Sequence, residues 1–561
     1  LVRLAEPSLE RSRRQVPIRP LTLLFYWLLV LLVISIAATL RLWFVLRSDF
    51  PLNDGGLFWT MVDDLQRARF RLPSVTSYNH ARIPFAYPPF GLYVVALLEA
   101  CGIPRLELFR FLPVSLTLAS IAVFALFSQA VLRSYRKSVA ATLVFALLPM
   151  SFAWQIMGGG VTRAFGQFFS LLALLFGYQL YTRPSRRALV GLALACALTV
   201  LSHPEAAWFV AYSLPLFWAY CSRRRETLAA SLLAALGMLL VVSPWLVTIL
   251  VRHGEAVLRP FQDSGWSVTD GIGRLLLWDV TREPVFPILG MLALLGIPVA
   301  LLNRQYLLPL WLFVIPVAQP RAFDQRAVIP LALLAGIGLV DLVVPLVQRA
   351  SVALFAAIRQ PRNPVRERLV TGTEPRQLAN SPWWLALVLL LLAIQSTIAT
   401  ARGFATLLTG LTPGDREAMT WVATSTPPSA RFLVLTGETW FGQDHLAEWF
   451  PALTGRTNVG VVQGSEWLGQ FSLRIAQATT LQLCSTAGRH CIESWARLTG
   501  NSFDYVYIAQ SPIWVGEDRV ERFGALMAEL LHAPDYELVY AGPGAMIFRY
   551  EHSASYPGAA A

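Results

Sequence analysis

The sequence predicts an α-helical polytopic membrane protein of about eleven transmembrane helices followed by a soluble C-terminal α/β domain. Three observations predict it. Hydrophobic residues make up 55% of 561 and charged residues 14%, with a mean hydropathy of +0.53. A soluble chain carries about 25% charged residues. The apolar residues gather into runs long enough to cross a bilayer, roughly 17–25 residues each. The charge divides at residue 402: beyond it stand 10 Arg and no Lys against 15 Asp and Glu, a net of −5, so the rest carries +17 of the total +12. That excess sits in short loops between apolar runs, which is the positive-inside pattern and excludes a nucleic-acid groove.

The runs are 21–46, 108–132, 138–157, 164–182, 186–202, 205–221, 227–251, 285–302, 305–320, 327–348 and 382–401. The first lacks a small-residue cleavage site and leads straight into further runs, so it reads as a retained span. One shorter run, 88–101, begins Pro-Pro and decides the orientation of all that follows. If it crosses, the loops at 133–137, 183–187 and 223–225 lie outside. If it lies along the outer interface, all three fall inside, with the N-terminal Arg11, Arg13, Arg14 and Arg19, Arg304 and the basic loop 349–376. The second arrangement satisfies every basic loop. It places the chain in the plasma membrane as a multi-pass protein with a cytoplasmic N-terminus and an extracytoplasmic C-terminal domain, 1–401 forming the membrane domain and 402–561 the soluble one.

The same arrangement gathers polar residues on the outer side, in loops 49–107, 158–163, 203–204, 252–284 and 321–326. Among them are Asp54, His80, Arg82, Arg163, His203, Glu205, Arg321, Asp324 and Arg326. Ionisable residues concentrated at one membrane face mark a functional site. Beyond 402, segments 432–436 and 504–508 read as strands, 536–540 and 545–550 as a hairpin around Gly542-Pro543-Gly544, and 414–423 and 517–532 as helices. Cys484 and Cys491 form a disulfide if this region is extracytoplasmic. Cys101, Cys196 and Cys221 lie in or beside apolar runs and read as small hydrophobes.

The first outer loop, Asp49-Phe-Pro-Leu-Asn-Asp54-Gly-Gly-Leu-Phe-Trp, leads into an amphipathic helix. Leu57, Phe58, Met61, Val62 and Leu65 share one face; Asp63, Asp64, Gln66 and Arg67 lie away from it, so the helix belongs in the interface plane. Then come Tyr87-Pro88-Pro89-Phe90 and Glu107-Leu-Phe-Arg110-Phe-Leu-Pro113, and much later Pro320-Arg321-Ala-Phe-Asp-Gln-Arg326-Ala-Val-Ile-Pro330. In this order the sequence resembles the GT-C superfamily, the integral-membrane glycosyltransferases that use polyprenyl-phosphate-linked sugars and include protein O-mannosyltransferases and the aminoarabinose transferase. The resemblance implies an acidic residue just past the first span, here Asp54, as catalytic base. It implies a basic residue before a late span, here Arg321 or Arg326, as phosphate partner. The chain departs from the many relatives that carry a second acidic residue beside the first, since Asp54 precedes Gly55-Gly56.

The implied chemistry is compact. A carboxylate takes the proton of a hydroxyl attacking the anomeric carbon, and Arg or His donors stabilise the departing lipid phosphate. Substrate binding then falls to His80, Arg82, Arg163, His203, Glu205, Arg321 and Arg326. No cofactor is required, a divalent metal is admitted, and the partners are a polyprenyl-phosphate-linked sugar, a lipid, glycan or protein acceptor and the bilayer. Each residue also has a structural reading. Asp54 can cap the amphipathic helix, as Asn53 also can. Gly158-Gly-Gly160 serves a phosphate nest or close helix packing. Arg321 and Arg326 can pair with Asp324. Asp444, His445, Glu448 and Glu466 read as surface polar residues beside aromatic packing. The rival functions are a transporter or flippase of lipid-linked sugars, for which internal repeats would be expected, and a surface-polysaccharide polymerase or ligase.

Overall fold

Each of the eleven apolar runs becomes a helix. The computed structural model describes residues 20–263, 266–358, 383–510, 513–515, 518–520 and 523–551. The N-terminal arginines and most of the basic loop 349–376 lie outside the described residues. Six helical stretches are long and apolar enough to cross a membrane: Thr22–Leu46, Arg105–Leu132, Gly160–Thr182, Arg225–Leu258, Phe323–Ser351 and Trp384–Gly403. The other five runs give helices of 12 to 18 residues: Tyr135–Leu147, Arg186–Ser202, Pro204–Cys221, Ile288–Leu302 and Leu307–Ala318. Proline sets several of these ends. Leu148, just before Pro149, is extended (φ −60°, ψ 122°), as a pre-proline residue prefers, and the run expected to reach 157 leaves the α-helix there.

The outer loop forms as its periodicity predicts. Helix α2 (Gly56–Arg67) buries Leu57, Phe58, Met61, Val62 and Leu65, the five residues of the expected face. Helix α3 (Phe90–Ala100) has 11 residues. At 1.5 Å per residue it spans only about 16 Å, half of a hydrocarbon core. Helix α4 (Arg105–Leu132) follows, and Arg110 ties its start to the end of the first long helix through the Ser48 carbonyl (2.7 Å).

In the C-terminal region five strands form one sheet. They are β1 (Arg431–Leu435), β2 (Thr457–Asn458), β3 (Tyr505–Ala509), β6 (Tyr536–Ala541) and β7 (Ala545–Tyr550), in the order β2-β1-β3-β7-β6. The first three run parallel and the terminal hairpin is antiparallel. A separate pair, β4 (Ile513–Val515) and β5 (Asp518–Val520), replaces the first half of the helix expected at 517–532. The Val-Gly-Glu-Asp sequence favours a turn. The helix begins only at Gly524, after Phe523 in the left-handed region (φ 75°). Cys484 and Cys491 are disulfide-bonded.

Alternation along the strands gives the sheet two apolar faces. Leu433, Leu435, Val506 and Ile508 pack with Ile492, Trp495, Leu526 and Leu530 inside the C-terminal region. Phe432, Val434 and Ile547 join a different core with Trp449, Phe450 and the buried face of α2. The first outer loop and the last quarter of the chain therefore share one hydrophobic core.

Candidate active site

Asp54 stands where three segments meet: the irregular segment after the first long helix, the glycine turn before the helix Gly160–Thr182, and the helix His445–Thr454. It does not cap α2, whose N-cap is Gly55. Arg163 grips it with both ends of its guanidinium, Nη1 to Oδ2 and Nη2 to Oδ1, each at 2.7 Å. The Gly159 N–H donates to Oδ1 at 3.1 Å. Arg163 is held in turn by the Trp154 carbonyl (2.8 Å). Close approach explains the glycines: a Cβ on Gly158 would stand 2.2 Å from the Asp54 carbonyl oxygen, and one on Gly159 3.0 Å from Oδ1. Each carboxylate oxygen has two acceptor positions. Among the described residues Oδ1 receives two donors, Arg163 and the Gly159 N–H, whereas Oδ2 receives Arg163.

A cationic cluster lies beside this pair. His203 is the N-cap of the helix Pro204–Cys221, its Nδ1 accepting the Ala206 N–H (3.4 Å), which leaves the hydrogen on Nε2. Burial first, and then the charges of Arg326, Arg163 and Arg321, hold its pKa well below the ordinary range, so the ring is a neutral donor. Arg321 is shared between Glu205 (3.4 Å) and Glu466 (3.8 Å). Arg326 is 4% exposed, its guanidinium 5.8 Å from the Phe209 ring centre. Among the described residues no carboxylate forms an ion pair with it, and its Nε has no hydrogen-bond partner. Asp324, the expected partner of Arg321 or Arg326, instead takes Arg274 at 2.7 Å and Arg282 at 3.7 Å.

The remaining predicted residues separate. Glu205, Arg163, His203, Arg321 and Arg326 converge; His80 and Arg82 are exposed on another patch, where His80 Nδ1 lies 3.3 Å from Thr457 Oγ1. Asp64 is an acceptor for Thr76 and Ser77, and Asp63 pairs with Arg67, so both organise the loop.

Sequence reasoning missed the C-terminal contribution. Glu448, read as a surface residue, is 3% exposed, and its Oε1 accepts the Gly55 N–H at 3.1 Å. Burial first, then the neighbouring Asp54 charge, pushes its pKa up to about 8. Asp444, read the same way, is buried, and burial raises it to about 7. Glu466 reaches Arg321 from the same region, and Trp440 stacks edge-on against Trp154 (5.7 Å). The one signal for these residues was their setting among Trp and Phe. Among the described residues no group of three or more His, Cys, Asp or Glu is arranged to hold a metal ion. Asp54 is held by Arg163 and the Gly159 N–H, and Glu448 Oε1 by the Gly55 N–H.

No family model and no curated protein matches the chain. Among solved structures it is similar to the crystal structure of ArnT from Cupriavidus metallidurans bound to undecaprenyl phosphate (14% identity, TM-score 0.49), which covers 94% of this chain and 99% of that one. It is similar to the same protein in the apo state (14%, 0.47), covering 94% and 97%. It is also similar to the cryo-EM structure of the arabinofuranosyltransferase AftD from Mycobacteria (14%, 0.43), covering 93% of this chain and 42% of that one.

Proposed function

We propose that this chain is a GT-C-type membrane glycosyltransferase that moves a sugar from a polyprenyl-phosphate carrier to a hydroxyl acceptor on the extracytoplasmic side. The observation that carries the reading is Arg326. A buried guanidinium without an ion-pair partner is costly; among the described residues no carboxylate pairs with Arg326, and Asp324 pairs with Arg274 and Arg282 instead. An anion entering beside His203 and Arg321 offsets that cost. A lipid phosphate is such an anion, and its prenyl chain would remain among the apolar helices.

In the proposed reaction the acceptor hydroxyl approaches Asp54 Oδ2. Its oxygen bonds to the anomeric carbon as its proton passes to Oδ2. The bond between that carbon and the phosphate oxygen breaks, and the electron pair leaves with the phosphate. Arg326, Arg321 and the Nε2–H of His203 stabilise the departing charge. Arg163 fixes the carboxylate in place, and no cofactor enters any step.

The orientation belongs to the same proposal: about eleven crossings, the N-terminus inside, and residues 402–561 outside as a soluble α/β domain. The basic loops and the 11-residue length of α3 support it. The test supplies labelled polyprenyl-phosphate sugars and candidate acceptors to purified protein. Asp54→Asn is expected to lower transfer by about 10²–10⁴-fold while lipid-phosphate binding persists. Transfer at full rate in that variant removes the base assignment. Movement of intact lipid-linked sugar across vesicles without transfer replaces the enzyme with a flippase.

A further inference from the structure

The backbone on either side of Asp54 adopts an unusual conformation. Asn53 (φ 48°) and Gly55 (φ 138°) both have positive φ, so the carboxylate is carried on a bend that costs free energy at Asn53. Residues from far along the chain hold that bend. The indole N–H of Trp449 donates to the Asn53 carbonyl (2.7 Å), and Glu448 Oε1 accepts the Gly55 N–H (3.1 Å). The Tyr78 hydroxyl donates to the Glu448 carbonyl (2.7 Å), fixing that helix against the loop. The fit leaves no slack: a Cβ on Gly55 would stand 2.9 Å from the Trp449 ring, and one on Gly56 2.7 Å from the Glu448 carbonyl oxygen.

We infer that Glu448 and Trp449 are positioning residues for Asp54, so that the C-terminal region is part of the catalytic apparatus. The inference rests on the reading of Asp54 as base. Among the described residues neither has a hydrogen bond to Arg326, Arg321 or His203, so the clamp acts on the carboxylate and leaves the phosphate cluster intact. Protonated Glu448 is nearly isosteric with Gln, which keeps the acceptor for Gly55; Leu removes it. Trp449→Phe keeps an aromatic ring but removes the N–H together with part of the buried indole.

The experiment uses the full chain and two readouts. The first is hydrogen exchange in peptides covering residues 50–58, which requires no activity. The second is sugar transfer, split into kcat and KM, alongside binding of polyprenyl phosphate. Glu448→Leu and Trp449→Phe are expected to speed exchange at Gly55 and its neighbours about tenfold or more. They should lower kcat by about 10–100-fold, the scale of an ångström-level misplacement, with lipid-phosphate affinity within twofold of wild type. Glu448→Gln should restore kcat to within about threefold. Unchanged exchange in both disruptive variants overturns the clamp. Faster exchange with unchanged kcat also overturns its positioning role, and Asp54→Asn run in parallel then shows whether the base assignment is at fault as well.

Discussion

Replacing Arg326 with Met tests the proposed phosphate site in two opposite directions. The side chain is 4% exposed, sits over Phe209, and has no carboxylate partner among the described residues. Burial desolvates its charge, which the Glu205 carboxylate offsets only in part and without an ion pair among the described residues, and exchange of buried ionic groups for apolar ones of similar volume stabilises by about 1–4 kcal/mol. The apo variant should therefore melt at a higher temperature than wild type. With ligand the sign reverses. A hydrogen bond from a charged donor contributes about 1.5–3 kcal/mol, so losing one weakens polyprenyl-phosphate binding by roughly 10–100-fold. Ligand at 100 times Kd stabilises the wild type by about 2.7 kcal/mol; after a 30-fold loss of affinity the same concentration gives about 0.9 kcal/mol. Thermal denaturation in detergent, with and without polyprenyl phosphate, reads both numbers. A variant that melts lower when empty and keeps the full ligand-induced shift would refute the reasoning and make Arg326 a packing residue.

Three further outcomes are expected. Glu448 and Asp444 have folded-state pKa values raised to about 8 and about 7, burial being the main cause. Between their unfolded values and these, the folded chain holds protons that the unfolded chain releases. Stability should fall as pH rises from about 5 to 8, by up to about 1.4 kcal/mol per pH unit per group. Glu448→Gln should flatten that slope, and a steeper slope in the variant would contradict the burial account. Reducing the Cys484–Cys491 disulfide, whose partners are 7 residues apart, should cost about 2 kcal/mol, measured as a fall in melting temperature with dithiothreitol. Reporter fusions at residues 135, 185 and 365 should all report cytoplasm, and an outside signal at any one breaks the proposed threading.

What could be read from the sequence was what local periodicity encodes. The five apolar residues of α2 recur at helical spacing, and all five are buried. Strands β1, β3, β6 and β7 are short apolar or β-branched runs bounded by turn residues, and they lie within a residue of their expected places. The region 517–532 misled because its later residues are strong helix formers, whereas a turn sequence precedes them. The site was legible as a list of residue types on one side of the membrane, but its pairings were not. Arg163 is 109 residues from Asp54, and Asp324 chose Arg274 over the arginines beside it in sequence. Glu448 and Asp444 read as surface because a short helix at a chain's polar end normally is. Glu448 is buried against a loop that precedes it by almost 400 residues, and Asp444 is held by Thr436 and the Ala447 N–H.

That separation also sets an order of events during synthesis. The apolar face of α2 is made early, yet Trp449 and the strands that complete its core arrive last. Gly55 and Glu448 are 393 residues apart, so at about 5–20 residues per second the loop waits roughly 20–80 s for its partner. During that interval Leu57, Phe58, Met61 and Leu65 have only the membrane surface to cover them. Asp54 cannot take up its held conformation before the end of the chain emerges. On the proposed reading of Asp54, synthesis that stops before Glu448 and Trp449 would leave the loop without its partner, and the arrival of that region becomes the step that sets the proposed base in place.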